Sequence, residues 1–516
     1  MQLGLSPLYI LRLHGSKLPD VSVRGPTQDD VATCKQQCLN MTDPPCGGFN
    51  MPHRNFKPVG CYLNLAPDAE LTLYAIKLST ATTPTPRSQR QAQIQPTPAA
   101  APVGVTVATV APHHGMLAVQ EQEQETGPLL YVQGRNARTI LAAAGWSIVD
   151  APEDADVLWL INRCYLGAYE PALPQQSLNM LPWDLPLVDK AQLAKNLQQY
   201  DRERGVTDPL GLSASFLPTT YRVADEAAWL AFRNETATCP RANNSGGHGT
   251  CGPWILKRTD LSNGDGAQIL PDPAHWAVES GERERLIEQG LASEYIVQRY
   301  VDTPLLLDGR KSELRTYWLV ASLEPLVVLY HPGTVRLNAQ AYRRDDYDND
   351  LIHITNTRRQ LQSAVLNATQ RANHGASLGL KWTHEQLRAD LTERYGSNSW
   401  ERLQHTIRQI LIRTVNATLH ELTDRVGETR GTFQLFGADF IVDDKLQPWL
   451  TEVQVGPGLS HDEPVKASII PALVADAAAI GLAASRATLL EETDRLATMA
   501  GLGVGTSFQP LINHVA

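Results

Sequence analysis

The 516-residue chain lacks an excess of basic residues: 45 Lys and Arg stand against 55 Asp and Glu, giving a net charge of −10 and an isoelectric point near 5.8. That balance argues against a generic nucleic-acid binder, which needs a basic footprint. It also argues against a broad basic face for docking an acidic protein tail, although a local basic cleft can still serve. No apolar run is read as reaching transmembrane length, so no membrane span is expected. Met1 to Leu13 are apolar but interrupted by Ser6-Pro7 and carry no basic flank, which makes a poor signal peptide. The cysteines show no CxxC pair, which disfavours a zinc site. What the chain does have is 42% hydrophobic content, enough for a large core in two to four domains and too much for a disordered protein.

The most informative stretch is residues 433–454, which reads as two strands joined by an Asp443-Asp444-Lys445 turn. Asp439 sits between Ala438 and Phe440, and Glu452 precedes Val453. Both carboxylates therefore belong to a partly buried sheet, where an isolated charge is costly unless a cation or donor meets it. Glu452 and Gln454 are two apart and share a strand face, offering a hard cation such as magnesium a carboxylate and an amide oxygen together. Taken alone, the segment also reads as a hairpin with solvated acids.

Four further pieces precede it in a fixed order. Trp254-Ile255-Leu256-Lys257 leads to Asn263-Gly264-Asp265-Gly266, a lysine closing an apolar strand before a loop whose small residues let backbone amides approach phosphate oxygens. A surface lysine before an ordinary glycine turn gives the same letters. Ile296-Val297-Gln298-Arg299-Tyr300-Val301 reads as a strand end. Lys311-Ser312-Glu313-Leu314-Arg315-Thr316-Tyr317 puts Glu313 and Arg315 on one strand face, with Arg336 beyond the next strand, so cation and anion reach one cleft. Ordinary surface ion pairs are the alternative. His353-Ile354-Thr355-Asn356 reads as a loop before a long helical region.

In this order the five pieces resemble the tubulin-tyrosine ligase-like family of ATP-grasp ligases, over about residues 127 to 480. The resemblance implies an α/β (α+β) fold, an ATP-grasp of three lobes at about 127–220, 221–297 and 298–480; the composition of the residues before it adds a small disulfide-rich module and a flexible linker. It implies that Lys257, Gly264 and Gly266 meet nucleotide phosphates, and that Gln298, Arg299, Tyr300 and Val301 read adenine through the backbone, so that side-chain identity matters little there. Lys311, Thr355 and Asn356 are expected to face the nucleotide. Arg315, Arg336 and Glu452 are expected to be catalytic, and Asp439, Glu452 and Gln454 to hold magnesium. Lys190 fits an early lysine of the family, and Phe216-Leu217-Pro218-Thr219-Thr220-Tyr221 resembles its Phe-x-Pro-x-Thr-Tyr segment, although a helix start followed by a turn explains both. The chain departs from the family pattern twice, with Glu313 where Asp is usual and Gln454 where Asn is usual. Each adds a methylene, so a ligand to the tight magnesium octahedron must fold back or bind through water.

The activity so implied is that of an ATP- and magnesium-dependent carboxylate-amine ligase. It joins a free amino acid to a protein or peptide carboxylate through an acyl phosphate, tubulin being one acceptor that relatives use. The alternative is an inactive, ligase-derived domain that binds nucleotide or peptide without turnover, and Glu313 and Gln454 are the features that favour it.

Residues 1–80 read as a separate unit. Cys34, Cys38, Cys46 and Cys61, four of the seven cysteines, crowd into one short stretch that suggests a disulfide framework. The stretch at about 30–66 resembles a PAN/apple module, a binder of protein or carbohydrate, and that resemblance implies the bridges Cys34–Cys61 and Cys38–Cys46. Residues 81–126, rich in Thr, Pro, Ala and Gln, read as a linker. Sequons at Asn40, Asn234, Asn243, Asn367 and Asn416 and the cysteine cluster favour a secretory lumen, whereas the ligase family is mostly cytoplasmic. A long helical insertion is expected at about 383–426, and a helical tail at 481–516 with a helix from Ala484 to Met499.

Overall fold

The computed structural model describes residues 127–161, 176–204, 211–238, 252–259, 264, 266–362, 379–424 and 431–515. The cysteine cluster with its expected bridges, the PAN-like module and the linker lie outside these residues. Strands and a helix alternate at the start. β1 (Leu129–Val132), β2 (Ser147–Val149), β3 (Val157–Trp159) and β4 (Ser177–Leu178) form a parallel sheet in the order β2-β1-β3-β4. Parallel neighbours need a crossover. The helix Arg135–Ala143 supplies it between β1 and β2, burying Ala137, Ile140 and Leu141 at helical spacing.

A second sheet is antiparallel. β5 (Thr220–Arg222), β6 (Trp254–Arg258), β7 (Gln268–Leu270) and β8 (Tyr295–Arg299) run in the order β5-β8-β6-β7. Its own small core is aromatic: Trp229 and Phe232, from the helix Glu226–Ala237, meet Trp254 and Trp276 with ring centroids 4.9 to 6.2 Å apart. Asp225 starts that helix by accepting the Ala228 N–H at 2.9 Å.

The third sheet is the largest. It comprises β9 (Leu306–Leu307), β10 (Arg310–Leu323), β11 (Leu326–Leu337), β12 (Lys381–Thr383), β13 (Gln434–Val442), β14 (Pro448–Val455) and β15 (Gln509–Asn513). The path is β12-β11-β10-β13-β14, with β9 on β10 and β15 on β11, antiparallel throughout. Both faces are buried, and the period of two sorts side chains between them. Trp318 and Val320 of β10, with Phe436, Ala438 and Phe440 of β13, enter a core shared with the helices Lys190–Arg204 and Ser399–Thr423. Tyr317, Leu319, Ala321 and Leu435 enter the opposite core, under the helix Ile470–Ala487.

Several elements differ from the sequence expectations. The helical insertion is two helices, His384–Tyr395 and Ser399–Thr423, broken at Gly396. The expected helix from Ala484 to Met499 is interrupted between Ile470–Ala487 and Glu492–Ala500, and the tail ends in β15 rather than in helix. By length and composition Pro464–Ala487 is apolar enough to cross a membrane, which corrects the reading that no run reaches that length. Its apolar content has a structural use, since Ile470, Leu473, Val474, Ala477 and Ala478 are fully buried against the third sheet. The sequons at Asn234 and Asn416 lie within helices, and the hydroxyls of their Thr236 and Thr418 are buried and donate to helical carbonyls. An acceptor sequon belongs on a surface loop, so these two do not support a lumenal assignment.

Candidate functional site

The third sheet brings the charged residues together by register. Asp439 on β13 is opposite Arg315 on β10 and Glu452 on β14, while Glu313 on β10 is opposite Arg336 on β11. Arg315 grips Asp439 with both arms, Nε to Oδ1 at 2.5 Å and Nη2 to Oδ2 at 2.8 Å, and also donates to Gln454 Oε1 at 2.5 Å. Arg336 Nη1 donates to Glu313 at 2.8 Å and to Asp439 at 3.2 Å. Gln454 passes the chain on, its Nε2 donating to Glu452 at 2.6 Å, and Lys190 at the start of the helix Lys190–Arg204 stands 3.5 Å from Glu452. Burial pushes the Asp439 carboxyl up, but Arg315 and Arg336 outweigh it and hold it below its ordinary value. Burial and then the Asp439 charge push Glu313 up.

Two glycines make this packing possible. A Cβ on Gly437 would lie 3.2 Å from Cδ and Nε of Arg315, so its absence leaves room for the guanidinium. Gly333, at φ +73°, sits opposite an irregularity in the β10–β11 ladder, and a Cβ there would fall 1.8 Å from the Arg315 carbonyl oxygen.

Two more lysines border this cluster, Lys257 from β6 of the second sheet and Lys311 from β10 of the third. Lys257, near the end of β6, donates to Gln298 Oε1 at 2.8 Å, and Gln298 Nε2 donates to Thr220 at 2.9 Å. The expectation that side chains at 298–301 matter little is therefore corrected: the Gln298 side chain aims the lysine. Arg299 and Tyr300 also spend their backbone N–H groups, on Thr219 and Pro253 carbonyls at 2.8 and 3.1 Å. Lys311, buried, donates to Tyr300 Oη at 2.8 Å and to the His353 carbonyl at 2.9 Å. The Tyr300 hydroxyl lies 2.9 Å from His353 Nδ1, and the buried His353 Nε2 has no partner among the described residues. Burial is the main cause that lowers Lys257 to about 8 and Lys311 to about 7; the Lys190 charge adds to the shift of Lys257, and the Lys257 charge to that of Lys311. An anion placed beside such a lysine favours its ammonium form and raises its basicity.

The cleft that these residues line encloses ≈ 830 Å³, part of it open solvent, and is lined by Lys190, Lys257, Gly264, Gln298, Arg299, Tyr300, Val301, Lys311, Glu313, Arg336, Thr355, Asn356, Asp439, Glu452 and Gln454. Ile255, Tyr300 and Ile354 form an apolar patch at one side of it. Two sequence-derived residues fall off the wall: Arg315 lies buried behind Asp439, and Gly266 is exposed beside the cleft. Asn356 lines the cleft, but its Oδ1 accepts the Arg358 N–H at 3.0 Å, at the start of the helix Thr357–Gln362. A roomier surface groove, ≈ 1350 Å³, is lined by His384, Trp400 and Arg408, but its Arg388 and Glu401 pair with each other at 2.9 Å.

Among the described residues, no group of three His, Cys, Asp or Glu side chains converges as a metal cage. Asp439, Glu452 and Gln454 are nevertheless all oxygen donors placed side by side by β13 and β14, the donor chemistry that suits magnesium. Asp439 and Gln454 meet Arg315, and Glu452 meets Gln454 and Lys190. Sequence reasoning missed the Gln298–Lys257 bond, the Tyr300–His353 contact and the role of Gly437, because each depends on a partner far away in the chain. It also missed Lys381 and Glu463, whose charged groups lie 3.6 Å apart beside Arg336, the cross-strand partner of Lys381.

Comparison with known proteins bears on the same residues. The sequence profile of the Tubulin-tyrosine ligase family matches residues 170–488. The chain is 26% identical over 342 residues to Probable tubulin polyglutamylase TTLL2 of Mus musculus, covering 64% of this chain and 57% of that protein. It is 28% identical over 340 residues to Probable alpha-tubulin polyglutamylase Ttll1 of Tetrahymena thermophila, covering 62% of this chain and 76% of that protein. Protein polyglycylase TTLL10 of Mus musculus is 26% identical over 380 residues, covering 67% of this chain and 50% of that protein. The chain thus spans about half the length of the two mouse relatives.

Proposed function

The chain belongs to the tubulin-tyrosine ligase family, and from that premise we propose that its cleft binds ATP and joins a free amino acid to a carboxylate of a protein or peptide acceptor. The fold is then an ATP-grasp of three lobes, at about 127–220, 221–297 and 298–480. The observation that carries the reading is the meeting of Lys257, Lys311 and Arg336 with Asp439 and Glu452 across one cleft beside an apolar patch. Lys257 and Lys311 hold the phosphates of ATP, and Ile255 and Ile354 flank the base. Arg336 faces the γ-phosphate and the acceptor carboxylate as an acceptor oxygen bonds to phosphorus and ADP leaves. The amino group then bonds to the acyl carbon, phosphate departs with that oxygen, and the nitrogen loses a proton. Neither step calls for a protein nucleophile, so positioning and charge compensation do most of the work. Arg315 acts through Asp439, holding its carboxylate in place. Asp439, Glu452 and Gln454 are the residues that would hold magnesium, which when bound draws charge from the phosphate oxygens.

The names of the relatives support glutamate as the first amino acid to test, with glycine and tyrosine beside it, and a tubulin tail as the first acceptor. Purified protein incubated with ATP, magnesium, each labelled amino acid and tubulin should label the acceptor in an ATP-dependent manner. No incorporation with any of them, together with no melting shift from Mg-ATP, would reject the reading. A second reading, a binding protein without turnover, is favoured by the closed chain Arg315–Gln454–Glu452. It predicts a melting shift with Mg-ATP in the absence of labelling.

A further inference from the structure

A second basic cluster adjoins the cleft on the side away from the hairpin. β12 pairs with β11 so that Lys381 is the cross-strand neighbour of Arg336, which in turn neighbours Glu313 on β10. After β14 the chain returns to this edge. Glu463 accepts the Val465 and Lys466 backbone N–H groups at 3.3 and 2.8 Å, and its carboxylate lies 3.6 Å from Lys381 Nζ. Lys466 is thereby fixed beside the cluster, half-buried, with Lys381, Arg336 and Arg315 as its positive neighbours and Glu463 as its negative one.

The charges do not balance. Four cations, Arg315, Arg336, Lys381 and Lys466, face three carboxylates, Asp439, Glu313 and Glu463. Asp439 is held by both guanidiniums, Glu313 by Arg336, and Glu463 by Lys381 and two backbone amides. Among the described residues Lys466 Nζ forms no ion pair. A half-buried ammonium among like charges is unfavourable until an anion joins it. Burial first, and then the three neighbouring cations, lower this amine to about 7. The site lies beyond Arg336 from the lysines assigned to ATP, and a ligase needs a place for a carboxylate next to the reacting phosphate.

We propose that Lys466 and Lys381 form a carboxylate subsite, separated from the nucleotide cleft by Arg336, that holds a carboxylate of one of the two substrates being joined. The proposal rests on the ligase reading above, and two sources share this chemistry: the α-carboxylate of the free amino acid, and a side-chain or terminal carboxylate of the acceptor.

The test compares wild type with Lys466→Met and Lys466→Arg, after melting curves show that all three fold. In the ligation assay Lys466→Met should raise KM for one carboxylate substrate about tenfold and leave KM for ATP within about twofold, while Lys466→Arg keeps near-wild-type values. A rise confined to the free amino acid assigns the α-carboxylate, and one confined to an acidic acceptor peptide assigns the acceptor. Unchanged KM for both overturns the subsite. If wild type ligates nothing, the ligase reading has failed, and calorimetry then scores the subsite separately with L-glutamate, glycine, L-tyrosine and the acceptor peptide. Binding to wild type that Lys466→Met abolishes retains the subsite, whereas equal isotherms, or no binding to wild type, overturn it.

Discussion

On the proposed reading, nucleotide binding depends on the charge state of two lysines in the cleft, Lys257 and Lys311. Lys257, lowered to about 8, is less basic in the fold than in the unfolded chain. The cost of keeping it charged in the fold is therefore full below about pH 8 and fades as pH rises toward its ordinary value. A polyphosphate reverses the preference by favouring the ammonium, so binding takes up protons above the folded value. ATP affinity should begin to fall above about pH 7, where Lys311 titrates, and fall more steeply past about 8, where Lys257 does. Fluorescent-nucleotide titrations from pH 6.5 to 9.5 check this, with Lys257→Met expected to lose the upper part of the slope and at least about 100-fold in ligation rate. Wild-type turnover in that variant would remove Lys257 from the site. Gln454 offers a second residue-scale test. Gln454→Asn withdraws the amide from Arg315 and Glu452, at 2.5 and 2.6 Å, and should keep or raise activity. Gln454→Ala should raise the magnesium concentration needed for half-maximal rate, and Glu452→Ala should raise it further, since it deletes charge as well as an oxygen donor. Unaltered magnesium dependence in Glu452→Ala would place the metal elsewhere.

The site depends on strands that tolerate only certain residues where they cross. Gly437→Ala would put a methyl 3.2 Å from the Arg315 side chain inside a buried sheet. Overpacking of this kind costs about 1–3 kcal/mol, and the displaced guanidinium loosens Asp439. The expected result is a lower melting temperature with a disproportionate loss of ligation rate. A fall in stability with a wild-type rate per folded molecule would show that the Arg315–Asp439 clamp has no part in function. At this scale the sequence is informative where the cue is local. The hairpin β13–β14 is announced by apolar residues on both sides of Asp443-Asp444-Lys445, and Glu313 and Arg315 declare a shared face by their spacing. It is silent where the partner is remote: Arg315 and Asp439 are 124 residues apart, and Gln298 and Thr220 are 78. The break after Ala487 carries no proline or glycine to mark it, and β15 becomes a strand only because the edge of β11 is there to pair with it. The helix Ile470–Ala487 looks like a membrane segment by composition because its buried positions meet both the first and third sheets.

Across the whole molecule, charge and proposed substrate are at odds. The chain carries −10 overall, yet the proposed acceptor is an acidic tail. Like net charges repel at long range, whereas contacts with Arg336, Lys381 and Lys466 act within a few ångströms. Salt separates the two effects, because the Debye length shortens from about 30 Å at 0.01 M to about 8 Å at 0.15 M ionic strength. Raising ionic strength across that interval should screen the repulsion before it weakens partly buried contacts, so KM for an acidic acceptor peptide should fall or stay level. KM for the free amino acid, which is too small to experience much of the overall field, should change little. Steady-state kinetics at four or five salt concentrations, with magnesium held fixed, measure both. A KM for the peptide that climbs steadily with salt would instead mean that a broad basic face captures the acceptor, as in electrostatically steered complexes. The local-cleft account of acceptor binding would then be wrong.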